Sequence, residues 1–106
     1  MTVPSSSSQP SVASQLAEDL ALVSWSDLKP HANRDALVVV HPTLDLVAVA
    51  TAIAQDQVSQ VQHWIQEGLI QKPTLDQLQH WNEQPQTLFP TLIVQPYVLI
   101  VANPGS

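Results

Sequence analysis

The chain holds no cysteine, two glycines and three basic side chains among 106 residues. Without cysteine there is no disulfide, no thiol nucleophile and no thiolate metal site, and the composition fits a reducing compartment such as the cytoplasm. The cations are Lys29, Arg34 and Lys72, and the formal charge is −6. Nucleic acid and anionic membranes both select cationic patches, so neither is expected as a partner. Gly68 is the only glycine before the C-terminal tail. That excludes the glycine-rich phosphate cradles GxxxxGK and GxGxxG and the GxSxG nucleophile elbow. No apolar run approaches the roughly 20 residues a membrane helix needs. The opening MTVPSSSSQPSVAS has no basic start and no apolar core, so no secretory signal is expected there.

What is present centres on Thr43 to Ile70. Leu44 to about Gln55 is apolar on nearly every side, which predicts a helix buried on most faces. Thr43 is a candidate cap, with Asp45 in the first turn. A second helix is predicted from about Gln57 to Glu67, capped by Asp56. Its apolar stripe is Val58, Val61, Trp64 and Ile65. Gly68 follows the last periodic residue, where a left-handed cap favours glycine. Two helices with a tight bend, then Leu69 and Ile70 as a strand start, have the spacing of a helix-turn-helix with a wing.

The flanks complete a single domain. Residues 1–12, rich in Ser, Pro and Gln, are expected to be a disordered tail, 13–102 a globular domain, and 103–106 a frayed end. Leu16, Leu20 and Val23 predict a helix over about Ser14 to Val23. Ser24 to Asp27 fits a capping box, and Pro30 is expected to limit the capped segment to about one turn. Ala36 to His41, with the β-branched Val38, Val39 and Val40 in succession, is read as a buried strand ended by Pro42. Leu69 to Gln71 is a short strand. Thr74 caps a helix from Leu75 to about Gln84, and Thr91 to Val101 is one long strand or two, with Pro96 at a bend, bulge or edge. The expected fold is α+β and winged-helix-like: three to four helices around the helix-turn-helix pair, with a small, mostly antiparallel three-stranded sheet. Trp64, Trp81, Val39, Val47, Ile53, Val61 and Ile65 are the expected core.

Several segments resemble one family in order. They are Trp25-Ser26-Asp27-Leu28, Val39 to Val47, Ala52 to Asp56, Trp64 to Leu69, Trp81, and Val94 to Leu99. The chain resembles the small bacterial proteins catalogued as domain of unknown function 2288, over about residues 18–101. It departs from that pattern at Ala48, where the family has an acidic residue, and at Tyr97, where it has tryptophan. The resemblance implies no activity, substrate or cofactor.

The four histidines, His31, His41, His63 and His80, show no HxxxH or HExxH spacing, and neither metal nor cofactor is expected. His41, Thr43 and Asp45 lie where a strand ends and a helix begins, a place where α/β folds hold ligands. They form the candidate ligand site, although capping alone accounts for Thr43 and Asp45. No constellation of nucleophile, base and oxyanion donors is suggested. The expectation is a non-catalytic domain that binds another protein, with a homodimer through an edge of the 91–101 strand as one mode of association. A winged-helix regulator of nucleic acid and a small enzyme or ligand-binding protein at His41 and Asp45 are the alternatives.

Overall fold

The computed structural model describes residues 12–102. The expectations for residues 1–11 and 103–106 lie outside that span. In chain order the elements are α1 (Val12–Asp19), β1 (Ala21–Ser24), α2 (Trp25–Asn33), β2 (Leu37–Val40), α3 (Leu46–Ala54), α4 (Val58–Gln66), β3 (Ile70–Gln71), α5 (Leu75–Glu83), β4 (Leu88–Val94) and β5 (Tyr97–Val101).

The strands form one five-stranded sheet in the order β1-β4-β5-β2-β3. The β2–β5 pair is parallel and the other three pairs are antiparallel. Register partners share a face. Leu37, Val39, Val98, Ile100 and Phe89 therefore point one way, and pack with Trp25 and Leu28 of α2 and Trp81 of α5. Val40, Leu92, Val94 and Leu99 point the other way, against Leu46, Val49 and Ala50 of α3, with Leu16 of α1 and Val61 and Trp64 of α4 at the margin. Helices thus cover both faces.

This replaces the winged-helix-like arrangement and its three-stranded sheet. The physical reason is in β2 and β5: both are apolar on both faces, so each face needs a helical layer. The coarse α+β class stands, with five helices among the described residues. The helix-turn-helix pair is present as α3 and α4, but it lies on a sheet face. The 91–101 segment is a hairpin closed by a cis Gln95–Pro96 bond. Both its strands lie inside the sheet order, with β1 paired along β4 only from Leu88 to Thr91, and the outermost strands among the described residues are β1 and β3.

Local corrections have local causes. Ala21 to Ser24 is a strand where a helix was expected, because it pairs along Leu88 to Thr91. Pro30 sits inside α2 rather than limiting it to a turn. The side chain of Ser24 makes no cap bond. The first N–H groups of α2 are instead satisfied from a distant loop, Trp25 N–H donating to the carbonyl of Thr87 and Ser26 N–H to that of Pro85, both at 2.9 Å. Thr74 does cap α5, in a reciprocal box with Gln77.

Three helices share one ending. In α4 the N–H of Gly68 donates to the carbonyl of Ile65 and that of Leu69 to Trp64, with Gly68 left-handed at φ 72°. This is the Schellman arrangement. Asp56 (φ 56°) ends α3 in the same way, and Asp35 (φ 63°) ends α2. Asp56 is therefore a C-terminal residue of α3. Gln57 holds the N-cap position of α4 and makes no side-chain cap bond.

Candidate functional site

The predicted trio His41, Thr43 and Asp45 lies in the β2–α3 connection. His41 N–H donates to the carbonyl of Leu69 at 2.8 Å, which fastens the strand end to the start of β3. The N–H of Thr43 donates to His41 Nδ1 at 3.1 Å, and Thr43 Oγ1 lies 2.8 Å from the same nitrogen. Asp45 caps α3, its Oδ1 accepting from Val47 N–H at 3.0 Å. The trio is contiguous, but its polar atoms serve the turn and the cap. Thr43 is not the cap of α3; its hydroxyl is turned to His41. No group of three or more His, Cys, Asp or Glu side chains is arranged for a metal among the described residues.

A second locus was not singled out from the sequence. A groove of about 610 Å³ opens beside α4. Its floor is Val38 of β2, Ile70 of β3 and Tyr97 of β5. Its walls are Ala52 and Ile53 of α3 and Val58, Val61 and Ile65 of α4. Asp56, Gln57, Gln62, Gln71 and Lys72 form a polar rim.

The groove exists because α4 is apolar on one side yet has no buried residue. Val58 is 58% exposed, Ile65 55% and Tyr97 40%. Ile65 was expected in the core, and Trp64 reaches only half burial, whereas Trp81 is buried as expected. The sequence signal was the α4 stripe itself, but an apolar stripe reads the same whether it faces a core or an open groove.

The rim is electrostatically uneven. Lys72 Nζ is 2.7 Å from the carboxylate of Asp35 and donates to the Asp35 carbonyl at 2.9 Å. The carboxylate of Asp56 has no hydrogen bond or ion pair among the described residues.

Among solved structures, the NMR solution structure of PA1075 from Pseudomonas aeruginosa is similar to this chain. It shows 29% sequence identity and a TM-score of 0.73, with 94% of this chain and 92% of that one covered. No curated protein matches. Among the described residues no helix is long and apolar enough to cross a membrane. Residues 11–102 match the family described as protein of unknown function (DUF2288), and the chain belongs to that family.

Proposed function

We infer that this is a small, non-catalytic protein-interaction module whose contact surface is the groove beside α4. The observation that carries the reading is the exposure of Val58, Ile65 and Tyr97 around one apolar cavity. A contiguous apolar patch with a polar rim is the usual mark of a recognition surface. The cavity also falls within the roughly 300–1,000 Å³ typical of ligand clefts, and its few polar groups stand at the rim. The lack of cysteine suits work in the cytoplasm.

The test is a pull-down from native lysate with wild type, Ile65→Ser and Leu75→Ser. Leu75 is 76% exposed and lies on α5, outside the groove lining, so it is the control for a single exposed leucine. The reading expects a specific partner that wild type and Leu75→Ser retain and Ile65→Ser loses. Repeated recovery of nothing specific would sink it.

A further inference from the structure

We propose that the groove receives a short amphipathic helix of a partner protein, its apolar face on Ile65, Val61 and Tyr97 and a lysine or arginine of its flank against Asp56. The proposal rests on reading the groove as an interaction surface, and adds what fills it.

The shape selects a helix over a strand. Strand addition would have to use β3, the free edge beside the groove, and β3 is two residues long. Pro73 follows closely and has no N–H to offer a ladder, so an incoming strand would gain few main-chain bonds. The α4 stripe from Val58 to Ile65 runs about 10 Å along its axis at the usual rise per residue. That is two turns, the length over which a docked helix presents anchors at i, i+3 or i+4, and i+7.

Charge selects a basic helix. Lys72 is engaged by Asp35, which leaves the unpartnered Asp56 carboxylate as the uncompensated charge on the rim. The whole chain adds to this with a formal −6. A second copy is a poor occupant for the same reason. It brings another −6, and α4 has no lysine or arginine to offer. Packing α4 antiparallel on its twin would set Asp56 near Glu67.

Asp56 supplies a third argument. It occupies the left-handed position at the end of α3, φ 56°, where glycine fits without strain. Its carboxylate gives nothing back to the fold in the form of a bond. Aspartate is among the few non-glycine residues that tolerate this conformation, so the position holds a free carboxylate at the rim without requiring glycine.

The probes are three synthetic peptides of about 15 residues. One is an amphipathic leucine–lysine helix, one is the same pattern with glutamate for lysine, and one is the lysine peptide scrambled. Fluorescence anisotropy at physiological salt reads the binding, with circular dichroism confirming that each protein variant is folded. The lysine helix is expected to bind at least about tenfold more tightly than either other peptide. Ile65→Ser, or Val58→Ser in its place, should weaken it by about tenfold, and Asp56→Asn should narrow its advantage over the glutamate helix severalfold. Equal binding of the scrambled peptide would show charge attraction without a docked helix and overturn the proposal. So would equal binding of the glutamate helix, or no saturable binding. Sedimentation equilibrium showing a dimer that Ile65→Ser abolishes would make a second copy the occupant. If the lysate partner depends on Ile65 but the lysine helix does not bind, the interaction reading stands and the helix does not; if both fail, both fall.

Discussion

The indole N–H of Trp25 donates to Oδ1 of Asn82 at 2.8 Å, joining the first turn of α2 to the last turn of α5 across 57 residues of sequence. Trp25 is 1% exposed, and its ring lies 5.1 Å from that of Trp81, which in turn stands edge-on to Phe89 at 5.0 Å. Asn82 thus satisfies the polar atom of the most buried aromatic. Asn82→Ala leaves that donor without its partner, and should cost about 1–3 kcal/mol in denaturant unfolding. Asn82→Asp retains an acceptor and should cost less.

The three tryptophans should separate by burial. Trp25→Ala and Trp81→Ala each remove a buried ring and should cost about 3–5 kcal/mol, the range for large aromatic truncations. Trp64 is only half-buried at the margin of the opposite cluster, so Trp64→Ala should fall below that range. Equal losses at all three positions would contradict the two-faced core.

The left-handed helix ends make opposite predictions. A Cβ added at Gly68 meets nothing within 4 Å, so Gly68→Ala should be destabilising through the backbone alone, by about 1–2 kcal/mol. Asp56→Gly relieves the same kind of strain at φ 56° and should raise the melting temperature slightly. Both shifts are readable by calorimetry.

The capping box of α5 should respond to Thr74→Ala with a loss of about 1 kcal/mol, the usual range for a removed N-cap. The exposed Lys72–Asp35 pair should matter less, since both side chains are at least half in solvent. Lys72→Met should shift stability by at most about 1 kcal/mol. Chemical denaturation of the two variants side by side checks the order.

Duplex binding should be absent at physiological salt. Non-specific affinity comes from cations displacing counterions, and the chain has three, none of them on α4. Anisotropy with mixed-sequence DNA tests this; micromolar binding that weakens steeply with added salt would promote the regulator alternative.

Elements governed by neighbouring residues were legible in the amino-acid order. The α4 stripe ending at Gly68, the Thr74 cap and the β2 run all depend on contacts within a few positions, and they stand where periodicity and capping put them. The candidate turn at His41, Thr43 and Asp45 was equally local, down to the cap, although the structure gives that cap to Asp45 rather than Thr43. Arrangements that depended on distant partners were not legible. Leu16, Leu20 and Val23 have a helical spacing, yet Ala21 to Ser24 becomes a strand because Leu88 to Thr91 lies alongside. Pro30 is held inside α2 while Trp25 and Leu28 pack in a core completed by α5, β2 and β5. The parallel β2–β5 pairing sets the strand order and sends helices to both faces, and no local pattern encodes which strands will meet. The groove has the same origin: Val58, Val61 and Ile65 have the spacing of a core face, but only Val61 packs against the core, and Val58 and Ile65 are left exposed beside Val38 and Tyr97. Periodicity specifies that an apolar face exists; the three-dimensional arrangement of the other elements determines whether that face is covered.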